Sequence, residues 1–229
     1  MPAAPFKVQT VVFDIDGTLL DSAAGILAGF RRSLASVGVP APSEAVLRTH
    51  LGPPLQEILV SAGVAPDRLD EAARAYHTYY LADGLRQAVP YPGIEALLAS
   101  LAAAGMTLAT ASAKRTSTAE AIVTAHGLDR YFTVVGGTDA TLLSKAQTIE
   151  DVLARLGADP ARTIMVGDRH HDVVGAHACG VPVIGALWGY GGRAELTAAG
   201  ADWLASDADD LGRLLMPSAA RSAAGTPSP

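Results

Sequence analysis

The feature that most constrains this chain is a set of four short apolar runs, each bounded by polar or turn-forming residues. Residues 8–13 stop at Asp14, residues 106–111 stop at Ser112, residues 163–166 stop at Gly167-Asp168, and a fourth run covers 181–185. Runs of this length and composition read as strands buried on both faces. Helical stripes lie between them. Ile94, Leu97, Leu98 and Leu101 are stopped by Gly105, Ile122 and Ala125 precede Gly127, and Ile149, Val152, Leu153 and Leu156 precede Gly157. Strands alternating with helices of this length predict an α/β fold, a parallel sheet with crossover helices. Ligands of such sheets bind beyond the carboxyl ends of the strands, so Asp14, Ser112 and Asp168 are expected at one mouth.

The stretch from about 22 to 89 has a different pattern. Leu27, Phe30 and Leu34 form one helical stripe, Leu55, Ile58 and Leu59 a second, and residues 69–81 a third segment. Breaks fall at Pro40-Ala41-Pro42, Gly52-Pro53-Pro54 and Gly63, and no strand pattern interrupts them. This reads as a helical insert (21–89) in an α/β core made of 1–20 and 90–216. The tail 217–229, rich in Ala, Ser, Pro and Gly, reads as disordered.

Composition narrows the function classes. A length of 229 residues with 49% hydrophobic content suits a single core carrying a smaller insert. The net charge is −6 and no Lys/Arg cluster exceeds a pair, which argues against nucleic acid or an anionic membrane as partner. Cys179 is the lone cysteine, so no internal disulfide exists and a reducing, cytoplasmic setting is expected. It is expected to be buried and inert. No apolar stretch is long enough to span a bilayer, and Met1 to Lys7 has no signal-peptide core.

The chemistry concentrates after the strand ends. Asp14-Ile15-Asp16-Gly17-Thr18-Leu19 sets two carboxylates two residues apart just past a strand, with Gly17 permitting a tight turn. Phosphoryl transfer needs a nucleophile, a proton donor for the leaving alkoxide and cations around the phosphoryl oxygens. Asp14 can attack phosphorus to give an acyl phosphate, and Asp16 can protonate the leaving oxygen and later deprotonate water. Asp168 can join Asp14 in holding magnesium, which takes oxygen ligands, while Asp172 is expected to orient a neighbour. Ser144 and Gln147 have the spacing of a capping box, which puts Lys145 on the first turn of a helix, positioned to neutralise phosphate charge. Ser112, with backbone donors at Ala113, can bond a phosphoryl oxygen.

Together, in this order, these residues resemble the four motifs of the haloacid dehalogenase superfamily. The resemblance covers nearly the whole chain to about residue 215. It implies a Rossmann-like core with a small α-helical cap. It also implies magnesium held by Asp14, the backbone carbonyl of Asp16, and Asp168, with Ser112 and Lys145 as phosphate contacts. Gly52-Pro53-Pro54-Leu55, Tyr91-Pro92-Gly93 and Leu187-Trp188-Gly189-Tyr190-Gly191 are most similar to the phosphoglycolate-phosphatase-like branch. Ala113 departs from the pattern, since many relatives carry Asn there.

The activity expected is hydrolysis of a small phosphomonoester metabolite, of phosphoglycolate, nucleotide or sugar phosphate type, by a monomer or small homo-oligomer. Alternatives are a sugar-phosphate mutase or phosphotransferase of the same superfamily, and a non-catalytic phosphometabolite-binding protein. Asp16 argues against a dehalogenase, which needs no second acid. The absence of lysine from 22–89 argues against a phosphonatase using a cap Schiff base. Arg48, His50 and Gly52 are candidates to reach an anionic substrate, with Arg86 and Tyr91 behind them. A different metal chemistry would gather His170, His171 and Asp172 with His126 and His177.

Overall fold

The computed structural model describes residues 8–53, 55–139 and 144–216. The terminal stretches 1–7 and 217–229, and Pro54 of the Gly-Pro-Pro-Leu motif, lie outside the described residues, as do the readings that rest on them.

The chain begins with β1 (Thr10–Phe13) and the two-residue β2 (Leu20–Asp21). Four helices follow: α1 (Ala23–Ser36), α2 (Glu44–Thr49), α3 (Leu55–Ser61) and α4 (Leu69–Ala82). After the short β3 (Val89–Pro90), helices and strands alternate through α5 (Ile94–Ala103), β4 (Thr107–Arg115), α6 (Thr116–Ala125), β5 (Val134–Thr138), α7 (Lys145–Leu156) and β6 (Thr163–Gly167). The chain closes with α8 (His170–Ala178), β7 (Val183–Ala186), α9 (Arg193–Ala199), β8 (Trp203–Ala205) and α10 (Ala208–Leu215).

Six strands form one parallel sheet in the order β5-β4-β1-β6-β7-β8. This is the Rossmann-like α/β layout expected from the alternation. Side chains alternate across a strand, and here the two faces fill separate cores. Val11 and Phe13 pack with Leu98, Leu101, Ile122 and Leu211 from α5, α6 and α10. Val12 packs on the other face with Ile149, Val152, Val173 and Leu196 from α7, α8 and α9. Residues so placed have no water-facing side, which is why the run reads as continuously apolar.

Helices α1 and α4 pack against each other, and Leu34, Leu59, Val64 and Ala72 form a small core of their own. Ser33 Oγ donates to the Ala72 carbonyl at 2.6 Å, closing one buried polar group across that contact. The two chain segments joining these helices to the sheet run side by side, because β2 pairs antiparallel with β3 (Leu20 with Pro90, Asp21 with Val89). Among the described residues no helix is long and apolar enough to cross a membrane.

Four details depart from the sequence reading. β5 and β8 were not foreseen: β5 is two valines followed by Gly-Gly, and β8 has three residues, so neither makes a long apolar run. β4 does not stop at Ser112 but continues to Arg115, with its register shifting between Ala111 and Arg115. The fourth run enters the sheet only at Val183, just after Pro182, whose carbonyl accepts from Met165 N. Cys179 is half-buried, its Sγ directed to the Ala146 carbonyl at 3.3 Å, and burial pushes the thiol pKa up.

The fold makes one simple stability claim. Leu98 of α5 is fully buried against the β1 face. Leu98→Ala should therefore lower unfolding free energy by about 2–5 kcal/mol, read as a shift in denaturant midpoint at unchanged slope.

Candidate active site

β1 lies at the centre of the sheet, so its carboxyl end meets those of both neighbours. Phe13 is level with Thr110 of β4 and Val166 of β6. Asp14 N donates to the Val166 carbonyl at 2.9 Å, one residue beyond the paired strand. Asp14, Ser112 and Asp168, each just past this level, are all buried.

The turn after Asp14 is tight. Leu19 and Leu20 N both donate to the Ile15 carbonyl, and Gly17 N donates to the Leu20 carbonyl. Gly17 has φ +84°, and a Cβ there would lie 2.2 Å from Asp168 Oδ2, so only glycine fits. Gly189 approaches from another side, where a Cβ would come within 2.3 Å of Asp168 Cβ. Asp168 is held inside this cradle: Tyr190 N donates to its Oδ2 at 2.6 Å, and Thr18 Oγ1 donates to its Oδ1 at 3.4 Å. Trp188 Nε1 in turn donates to the Thr18 carbonyl at 2.9 Å.

Lys145 enters from the first turn of α7. Ser144 caps that helix through the reciprocal bonds with Gln147 that the spacing predicts. The ammonium sits 2.7 Å from Asp14 Oδ1 and 2.8 Å from Asp172 Oδ1, and donates to the Ala111 carbonyl at 2.7 Å. All three N–H groups of the ammonium thus have acceptors. The other oxygen of Asp172 accepts from Arg169 N at 3.1 Å at the start of α8. With both oxygens used, Asp172 fixes Lys145 and the helix start together.

These carboxylates are crowded. Oxygens of Asp14, Asp168 and Asp172 lie within 4.8 Å of one another, all buried. Burial first, and then Asp172 and Asp16, push the Asp14 pKa up to about 7 in spite of Lys145. Burial and the neighbouring Asp172 and Asp14 push Asp168 well above the usual carboxylate range. Burial works against the Lys145 charge, but Asp14 and Asp172 outweigh it and hold its pKa above the ordinary value. An all-oxygen set carrying more negative than positive charge suits a hard divalent cation such as magnesium, which fits Asp14 and Asp168 as ligands.

Asp16 is paired differently. Its Oδ2 is 2.6 Å from the ammonium of Lys114, while its Oδ1 is buried with no hydrogen-bond partner. Lys114 was not singled out from the sequence, although the signal was there. It is one of three lysines in the chain and stands two residues after Ser112, on the same side of an extended strand. Ser112 Oγ accepts from Lys114 N at 3.1 Å, and the Ala113 carbonyl accepts from Thr138 Oγ1 at 3.3 Å.

The candidates from the helical stretch do not join this cluster. Arg48 is exposed and paired with Glu44 at 3.1 Å. His50 bonds the Val46 carbonyl through Nδ1 at 2.9 Å and Ser61 Oγ through Nε2 at 3.3 Å. Arg86 donates to the Ala82 carbonyl, and Tyr91 lies beside Tyr190. Gly52 does approach the start of α8, since a Cβ there would come 2.8 Å from Arg169 Nη1. The histidines form no metal site either, although the rings of His170 and His171 lie 3.7 Å apart. His170 pairs with Glu195, His177 with Asp202 and His126 with the Leu85 carbonyl, and among the described residues the only group placed to share a metal is the aspartate trio.

The chain's likenesses agree with this geometry. Residues 11–186 match the model of the haloacid dehalogenase-like hydrolases. A Mycobacterium tuberculosis relative, tyrosine-protein kinase PtkA, is 43% identical over 186 residues, covering 80% of this chain and 63% of the relative. This chain thus spans less than two thirds of that relative's length. A phosphoglycolate phosphatase of Cupriavidus necator is 33% identical over 225 residues, covering 95% of this chain and 97% of its own. The crystal structure of a predicted phosphatase from Clostridium acetobutylicum superimposes with a TM-score of 0.87 at 32% identity, covering 93% of this chain and 100% of its own.

The crowding has a measurable consequence. Asp14 is raised from 3.8 to about 7 in the folded protein, so its protonated form stabilises the fold at low pH. That contribution is complete below about pH 4 and is lost as pH rises through about 7. In chelator, the unfolding midpoint should fall across this window, and Asp14→Asn should flatten the fall. Identical slopes in the two proteins would contradict the assignment.

Proposed function

The chain belongs to the haloacid dehalogenase-like hydrolase family, and on that premise we propose that it is a magnesium-dependent phosphatase of small phosphomonoesters working through Asp14. One observation carries this reading: two carboxylates on a single turn, each held by its own lysine, with Asp16 Oδ1 left unpaired. A site that only binds phosphate has no use for a second carboxylate beside the first, which adds repulsion for the ligand.

In the proposed cycle the Asp14 carboxylate attacks phosphorus in line with the ester oxygen. The bond from phosphorus to that oxygen breaks, and Asp16 delivers a proton to it as the alcohol leaves. Asp16, now a carboxylate, takes a proton from water as that water attacks the phosphorus of phosphorylated Asp14. Phosphate leaves and Asp14 is restored. Lys145 faces the phosphoryl group throughout, with Asp172 fixing its position, and the Ser112 hydroxyl and nearby backbone N–H groups supply further donors. Magnesium, held by Asp14 and Asp168 and by the Asp16 backbone carbonyl that the family resemblance implies, would neutralise phosphoryl charge. The helices between β2 and β3 act as a cap, and the paired β2–β3 segments serve as their hinge.

The likeness to proteins named as tyrosine kinases supports a second reading, transfer of the phosphoryl group to an acceptor hydroxyl instead of water. The two readings share Asp14 and differ in what reaches the phosphorylated residue.

Wild-type protein with magnesium should release phosphate from members of a phosphomonoester panel, and chelator should stop it. Asp14→Asn and Asp16→Asn should each lower kcat/KM by about 10³-fold or more. Label from a phosphate donor appearing on a tyrosine peptide or a sugar, with no free phosphate, would favour transfer over hydrolysis.

A further inference from the structure

The two carboxylates of the catalytic turn each have a lysine, and the two lysines are committed differently. Lys145 finds acceptors on Asp14, Asp172 and the Ala111 carbonyl, the side that handles the transferred phosphoryl group. Lys114 has one ion-pair partner among the described residues. Its ammonium is 2.6 Å from Asp16 Oδ2, and both side chains are 13% exposed. The proposed cycle gives this lysine no task.

Its placement is fixed from two sides. Lys114 N donates to Ser112 Oγ at 3.1 Å, which ties the residue to the end of β4. At the other end the ammonium stands 4.7 Å from the centre of the Tyr80 ring of α4, within cation–π range. That ring stacks on Tyr76 with centres 5.5 Å apart and planes 7° apart, and Tyr76 packs on Phe30 of α1 at 5.4 Å. All three rings are buried. An aromatic row of the insert thus backs the head of the lysine. A lysine usually retains much rotamer freedom, and one held at both backbone and head has lost it.

The two oxygens of Asp16 are left unequal by this contact. Oδ2 is engaged by the ammonium, while Oδ1 is buried with no hydrogen-bond partner. Buried polar atoms almost always have partners, and a catalytic role is one reason for an exception. Rotation of a carboxyl group about its last bond is otherwise broad, so a proton-transfer oxygen needs something to aim it.

We infer that Lys114 is a positioning residue for Asp16. By engaging Oδ2 it presents Oδ1 as the oxygen that hands the proton to the departing ester oxygen. The inference rests on the phosphatase reading above. In that step the bond from phosphorus to the ester oxygen breaks, the proton on Oδ1 moves to that oxygen, and Asp16 is left as a carboxylate. Lys114 touches neither the phosphoryl group nor the alcohol and acts only through Asp16.

The test uses esters that differ in their need for that proton. The phenolate of 2,4-dinitrophenyl phosphate leaves without one, whereas the oxygen of an alkyl phosphate does not. The readout is kcat/KM with magnesium, for this ester and for the fastest alkyl ester of the panel. Lys114→Met should lower the alkyl value about 10-fold or more and the dinitrophenyl value less than about threefold, while Lys114→Arg keeps most of both. In an Asp16→Asn background, adding Lys114→Met should change the alkyl value less than about twofold, because the group it acts through is gone. Equal losses on both esters, or no loss on the alkyl ester, overturn the assignment. So does a further loss in the Asp16→Asn background, which would make Lys114 a direct substrate contact. Should Lys114→Met fold poorly with Asp16 left unpaired, the double variant lacks both charges, and its comparison with Asp16→Asn still decides. Each of these failures leaves the phosphatase reading standing if wild type releases phosphate and Asp14→Asn does not. No magnesium-dependent release from any ester overturns both.

Discussion

The contact between Lys145 and the two carboxylates Asp14 and Asp172 orders the rest of the site. Its members are almost out of reach of water, with side chains 8%, 11% and 2% exposed. Taking charges into a protein interior costs several kcal/mol per ion unless each is closely paired and every proton finds an acceptor. The lysine meets that condition with three acceptors, two carboxylates and the Ala111 carbonyl. The carboxylates meet it less well, which is visible in the upward shift of Asp14 and Asp168. An interior left with excess negative charge is suited to a hard cation.

Holding that cluster needs the parallel sheet. β1 has neighbours on both sides, so three chain segments end at one level and deliver Asp14, Ser112 and Asp168 together. α7 and α8, packed against the same sheet face, bring Lys145 and Asp172 to that level from below. The loop after β7 closes the other side. Tyr190 ties Asp168 through its backbone N, while its hydroxyl accepts from Ser22 N at 2.7 Å and donates to Asp21 Oδ1 at 3.2 Å. One residue thereby connects a buried carboxylate of the site to the point where the chain leaves the sheet for α1.

Much of this was legible in the sequence because it depends on local pattern. Short, largely apolar runs bounded by polar or turn residues identify strands covered on both faces, and β1, β4 and β6 follow from them. Ser144 and Gln147 fix the start of α7, hence the place of Lys145, through bonds that span three residues. Asp14, Asp16 and Gly17 form a unit whose spacing alone implies a turn with two carboxylates. β5 and β8 were less legible, since a strand made of Val-Val-Gly-Gly-Thr or three residues is stabilised by the neighbour it pairs with and not by its own composition.

The sequence by itself determined the alternating strands and helices, the acidic turn after β1 and the helical character of the insert, because these rest on interactions within about four residues. The tertiary structure alone decided which charges meet. Lys114 faces Asp16 across 98 residues of chain, Lys145 faces Asp14 across 131, and Tyr190 reaches Asp21 across 169. No periodicity encodes such pairings. They follow from strand order and from the exclusion of water at the sheet end, which leaves each buried charge to the partner that the fold brings within reach.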